Sequence, residues 1–297
     1  MLSVQNISKR FGDRWAVQNI DLSIEKGSIV GLLGHNGAGK STLIGMILGQ
    51  IWPTTGQVLI NQHSVVKQRA GALGKVGALF EAPCFYDYLS AFKNLEILTA
   101  YTAIVPKKRL MEVIEWVGLK GREQDKVRTY SHGMRARLAL AQALLPSPEF
   151  IILDEPTNGL DPEGIREMRH TILRLHQELK LTILVSSHLL QEVEKICPQI
   201  VVISKGKKVF EGKTSEARQT GKTLKIRTND FEKTRTALLA QGLITQMDEK
   251  GMATLSDSAK ASDLASFLVA GGFDLHELAP KEETLEDFYL RLTQPNL

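Results

Sequence analysis

Nine consecutive residues, Gly34, His35, Asn36, Gly37, Ala38, Gly39, Lys40, Ser41 and Thr42, combine three glycines, one cation and two hydroxyls. This composition suits a phosphate. The glycines let backbone N–H groups curl around an anion, and a following helix adds positive potential at its N-terminus. Lys40 can then reach the β- and γ-phosphates, and Ser41 can hold Mg²⁺. An apolar run at 29–33 precedes the glycines and an apolar helical pattern starts near Leu43, so the segment lies between strand and helix as a P-loop must. A second cluster supplies acid. Phe150, Ile151, Ile152 and Leu153 lead into Asp154 and Glu155, two adjacent carboxylates at the carboxyl end of a buried strand, where open α/β sheets bind ligands. Asp154 is suited to hold Mg²⁺ through water, and Glu155 to orient or deprotonate the water that attacks a γ-phosphate.

Those groups need a sheet to hold them. Apolar runs rich in Ile, Val and Leu at 29–33, 150–153, 182–185 and 200–203 predict strands buried on both faces. Ile165, Met168, Ile172, Leu175 and Leu179 recur at helical spacing between two of them, so strands and helices alternate as in a parallel sheet. From about 82 to 145 the strand signals fade, and periodic segments at 91–102 and 107–117 predict an inserted helical subdomain. Gly212, Lys213, Thr214 and Gly221 mark a boundary, giving a first domain at 1–220 and a second at 221–297. In the second domain, strands are predicted at 223–228 and 252–256, and helices at 231–241, 259–270 and 284–292. The expected fold is therefore an α/β P-loop NTPase core carrying a helical insertion and a small α+β C-terminal appendage.

Composition sets the outer limits. The 297 residues are 43% hydrophobic and 24% charged, which predicts an ordinary soluble globular protein and argues against disorder or a collagenous chain. No stretch approaches the roughly 18 uncharged apolar residues of a spanning helix, and Lys9 and Arg10 follow an N-terminus without an apolar signal core. Two cysteines, Cys84 and Cys197, are too few for a disulfide framework and suit a reducing cytosol, where both are expected to be inert. Residues 1–220 hold 28 basic and 21 acidic side chains, net +7, against net −3 for the remainder. A polyphosphate or an acidic partner accounts for that asymmetry. No concentrated basic stripe suggests nucleic acid.

Further motifs follow in order: Tyr130, Ser131, His132, Gly133 and Met134 before a helix with Arg135, Arg137, Leu138 and Ala141; then Asn158, Gly159, Leu160 and Asp161; then Ser187 and His188. Together with Phe11 before Gly12, their order resembles the nucleotide-binding subunit of ATP-binding-cassette (ABC) transporters over about residues 1–220. The resemblance implies ATP and Mg²⁺ as cofactors. It implies that Gly34, Asn36, Gly37, Ala38, Gly39, Lys40, Ser41 and Thr42 bind nucleotide, that Phe11 stacks on adenine, and that Asp161 belongs to the D-loop. His188 becomes the switch histidine beside the catalytic Glu155. Ser131 and Gly133 become the signature, which in the family acts on the nucleotide of a second, head-to-tail subunit, either another copy or a homologue. The same resemblance implies separate membrane-spanning subunits, and a peripheral position on the cytoplasmic face of a bacterial membrane.

Two departures refine it. His132 replaces a signature glycine, and is expected to restrict the approach of backbone to phosphate, since only glycine accepts every backbone conformation cheaply. Glu81 stands where most of the family has a glutamine touching Mg²⁺ and water, which makes it both a metal and a catalytic candidate. Glu81, followed by Phe85, Tyr86 and Leu95, resembles the branch that exports lantibiotics and bacitracin-type peptide antibiotics. Residues 284–293 resemble the terminal helix of many drug- and peptide-export ATPases. The alternatives are an importer ATPase or a soluble non-transport ABC ATPase. The latter usually carries tandem cassettes or long coiled coils, and neither is legible here. A GTPase or small-molecule kinase would have no use for 130–134.

Overall fold

The four apolar runs form the strands Ile29–Leu33, Phe150–Asp154, Thr182–Ser187 and Gln199–Ser204. Every residue of the first three is buried, as strands covered on both faces require. They lie in a six-stranded sheet ordered Lys207–Lys213, Gln199–Ser204, Ile29–Leu33, Thr182–Ser187, Phe150–Asp154, Val76–Leu79. Its first pair is antiparallel and all later pairs are parallel.

The computed structural model describes residues 1–81, 83–100, 105–217, 223–281 and 284–293, which divide into two units, Met1–Lys213 and Thr214–Leu297. Ala82, Gly221, positions 101–102 and the boundary expected at 220/221 lie outside the described residues.

A second sheet in the first unit, ordered Arg14–Ile24, Leu2–Phe11, Thr55–Ile60, His63–Ser64, is antiparallel throughout. Its inward Leu2, Ile7 and Ile20 meet Leu43 and Ile47 of the helix Lys40–Ile47 and Phe150 and Ile152 of the parallel sheet in one core. The P-loop helix is thereby clamped between two sheets. The inserted segment supplies the helices Ala91–Ala100, Lys107–Trp116 and His132–Leu144. The last packs directly on the strand Val76–Leu79, where a Cβ on Gly77 would come within 2.1 Å of the Ala143 carbonyl. The helix Pro162–Leu179 starts with Asp161 as cap and Pro162 in its first turn, and buries Met168, Thr171, Ile172 and Leu175 at helical spacing.

The second unit follows the order strand, helix, strand, strand, helix, strand through Thr223–Thr228, Phe231–Ala240, Ile244–Met247, Met252–Leu255, Ala261–Ala270 and Leu275–Pro280. The sheet runs Ile244–Met247, Met252–Leu255, Thr223–Thr228, Leu275–Pro280, all antiparallel. This is the split βαβ arrangement of ferredoxin-like folds, closed over Leu224, Ile226, Leu238, Leu264 and Leu268. Two further helices, Thr214–Ala217 and Leu285–Thr293, belong to the same unit.

Candidate nucleotide-binding and hydrolysis site

Four neighbouring strands of the parallel sheet deliver the site at their carboxyl ends. Ile29–Leu33 leads into the glycine-rich loop, Thr182–Ser187 into His188, Phe150–Asp154 into Glu155, and Val76–Leu79 into Glu81.

The loop closes on itself through Ala38 N–H to the His35 carbonyl, 3.0 Å, and passes its chain to the helix through Leu43 N–H to the Gly39 carbonyl, 2.9 Å. Gly39 caps the helix at φ +112°, and a Cβ there would stand 2.6 Å from the Ala16 carbonyl. Only glycine fits both conditions. Gly37 turns the loop at φ +80° beside exposed Asn36, while Gly34 and Ala38 are buried. Ser41 is exposed on the first turn and Thr42 half-buried behind it.

Lys40 joins the loop to the acids. Its Nζ donates to the Gly34 carbonyl at 2.7 Å and lies 3.5 Å from Glu155 Oε1, with the two side chains only 6% and 8% exposed. The other carboxylate oxygen, Glu155 Oε2, is 2.8 Å from His188 Nδ1 and accepts the His188 backbone N–H at 3.3 Å. A carboxylate this buried requires such partners. Glu155 holds φ at +51°, a left-handed conformation that costs a non-glycine residue about 1–2 kcal/mol. Its backbone N–H donates to the Ser186 carbonyl at 3.1 Å, which fixes the turn. Strain of this kind gathers at functional sites.

Asp154 is 7% exposed, and burial pushes its carboxyl above the usual range. The Ser186 hydroxyl, which donates to Asp154 Oδ1, opposes that rise, while Glu155 adds to it and Glu81 more weakly. A carboxylate disfavoured by burial and by two like charges is suited to a cation, and Ser41 offers a second hard oxygen as Mg²⁺ requires. Among the described residues no three His, Cys, Asp or Glu side chains converge to hold a metal. Glu81 is exposed, and its Oε1 accepts from Asn158 Nδ2 at 2.8 Å, tying its loop to the turn that precedes Asp161.

The remaining candidates divide. Ser131 caps the helix His132–Leu144, its Oγ accepting from Met134 N–H at 3.2 Å, and Asp161 caps Pro162–Leu179 by accepting from Gly164 N–H at 3.0 Å. His132 occupies the first helical turn without positive φ, and a Cβ on Gly133 would meet only Ser131 Oγ at 3.9 Å, so neither position demands glycine's conformational freedom. Tyr130 is buried and donates from its hydroxyl to the Arg122 carbonyl at 2.8 Å, with burial pushing the phenol up to about 12. Phe11 is 51% exposed, which leaves a ring face for stacking and excludes a role in the core. Cys197 is buried, which pushes its thiol well up and leaves little thiolate, while Cys84 is exposed. Ser186 escaped sequence reading. It is a serine in an apolar run, and only its pairing with Asp154 across the sheet reveals it.

Over 98% of its length the chain is 35% identical to the bacitracin transport ATP-binding protein BcrA of Bacillus licheniformis, spanning 97% of that protein, and residues 17–158 match the family model described as ABC transporter. The chain belongs to the ABC transporter ATP-binding proteins. It is likewise 37% identical to the lantibiotic transport ATP-binding protein SrtF of Streptococcus pyogenes, over 71% of this chain and 90% of that one. Among solved structures it is similar to the dimeric ATP-binding cassette MJ0796 in a post-hydrolysis state bound to ADP and Pi, with TM-score 0.65, 25% identity, 72% of this chain covered and 99% of that chain. As an ABC ATPase it binds and hydrolyses ATP, and the P-loop core expected from the sequence is its fold.

Proposed function

We propose that this ATPase powers the export of peptide antibiotics, in the manner of bacitracin resistance or lantibiotic immunity, through membrane-spanning partner subunits. The observation that carries this reading is the match to BcrA over 98% of this chain, which extends beyond the cassette into most of Thr214–Leu297. Among the described residues no helix is long and apolar enough to cross a membrane, so the reading assigns translocation to separate subunits and places this chain at the cytoplasmic face of a bacterial membrane.

In the mechanism, the P-loop amides and Lys40 hold the β- and γ-phosphates, and Phe11 stacks on adenine. Ser41, Asp154 and Glu81 hold Mg²⁺, which when bound neutralises phosphate charge. Glu155 accepts a proton from the attacking water, and His188 holds that carboxylate in place. Ser131 and Gly133 complete the site of a head-to-tail partner, with Asp161 at the same interface. Coexpression with its membrane partners in a sensitive bacterium tests the proposal: the inhibitory concentration of bacitracin or a lantibiotic is expected to rise, and Glu155→Gln to abolish the rise. An unchanged inhibitory concentration for both antibiotics counts against the export reading.

Glu81 supplies a finer prediction. Glutamine keeps the oxygen that accepts from Asn158 but removes a charge near Asp154. Glu81→Gln is expected to preserve folding and ATP affinity while shifting the Mg²⁺ dependence of hydrolysis or its stimulation by the membrane partner. Superimposable rate curves against Mg²⁺, with and without that partner, return Glu81 to the role of a solvated loop carboxylate.

A further inference from the structure

Ser186 lies opposite Asp154 in the parallel register and has no solvent exposure. Its hydroxyl acts in two directions. It donates to Asp154 Oδ1, and it accepts, at 3.3 Å, from the same Glu155 N–H that reaches the Ser186 carbonyl. The adjacent Ser187 is different: its hydroxyl accepts from Leu189 N–H at 2.9 Å and serves only the local turn. We propose that Ser186 is a positioning residue for both carboxylates of the hydrolytic site, fixing the plane of Asp154 and the backbone turn that sends Glu155 toward Lys40 and His188.

A hydroxyl has one proton to give and lone pairs to receive. Here the proton goes to one acid and a lone pair receives the amide of the next, so a single buried oxygen sets the angle between two functional side chains. An apolar residue of similar size would fill the strand equally well and supply neither bond. The left-handed turn at Glu155 makes the second bond consequential, because a strained backbone persists only where its surroundings over-determine it. Removing a partner that orients a metal-holding carboxylate typically lowers metal affinity or activity by about 10- to 100-fold.

The inference rests on the reading of Asp154 as the Mg²⁺-holding carboxylate, and the test separates the two. With the full-length protein, Ser186→Ala is expected to raise the Mg²⁺ concentration for half-maximal ATP binding by about tenfold, while ATP affinity in EDTA stays within about twofold of wild type. Without nucleotide or Mg²⁺, the Glu155 amide is expected to exchange its hydrogen faster in the same variant. Ser186→Thr keeps the hydroxyl and restores both properties. Ser186→Cys fills the volume with a weak donor and behaves like alanine, which keeps the test open if the alanine variant folds poorly. Wild-type Mg²⁺ dependence in Ser186→Ala or Ser186→Cys, alongside a weakened Asp154→Asn, overturns the positioning role. An equal loss in EDTA reduces Ser186 to packing and also overturns it. Wild-type Mg²⁺ dependence in Asp154→Asn overturns the underlying assignment, and the inference with it.

Discussion

Replacing Glu155 by glutamine is expected to slow ATP hydrolysis by about 10²- to 10⁴-fold while MgATP still binds, the usual worth of a general base. The amide keeps the length and an acceptor oxygen for the His188 N–H, and as an unbranched side chain it suits the left-handed backbone at φ +51° as well as glutamate does. What it loses is the ability to take a proton from water. It also releases Lys40 from its 3.5 Å ion pair, so the ammonium is wholly available to phosphate and nucleotide affinity is expected to hold or rise. Steady-state hydrolysis within about twofold of wild type removes Glu155 from the role of base.

Lys40→Ala is expected to act in the opposite order, on binding before chemistry. Charge-assisted hydrogen bonds contribute about 1.5–3 kcal/mol, so ATP affinity is expected to fall by roughly 10- to 150-fold in calorimetry. A second effect comes from the folded state itself. The truncation leaves the Gly34 carbonyl without its ammonium donor and strips the 8%-exposed Glu155 of its nearest cation, so the melting temperature falls as well. Pairing the change with Glu155→Gln separates the two effects, because the double variant no longer buries an unmatched carboxylate and recovers stability without recovering nucleotide. Undiminished ATP affinity in the single variant contradicts the placement of Lys40 on the phosphates.

How much was legible in the sequence follows from how local each feature is. The P-loop occupies nine consecutive residues, and the Asp154–Glu155 pair closes an unbroken apolar run, so each announces itself within one element. The antiparallel sheet was harder to see because bulges break its alternation. Register shifts between Val4 and Ile7, and again up to Arg10, leave Ile7 and Ser8 both buried. The same cause hid Ile244–Met247, four residues long with a shift after Ile244, and Leu275–Pro280 lies at a sheet edge with a proline at its end. Ser186 and the bond from Asn158 to Glu81 depend on partners 32 and 77 positions away in the chain, a distance over which no periodicity carries information.

The glycine pair at 39 and 206 bears on how the site comes apart. A Cβ on either would strike the same Ala16 carbonyl, at 2.6 and 2.8 Å, and Gly206 passes the contact on, its N–H donating to the Ala38 carbonyl and its own carbonyl receiving the Gln18 N–H. Phosphate loop, strand Arg14–Ile24 and the turn before Lys207–Lys213 are thus laced together with no slack between them. In the language of cooperative unfolding, the loop cannot melt as a private event: opening it wide enough to release its ligand by disorder means breaking contacts in both sheets of the first unit.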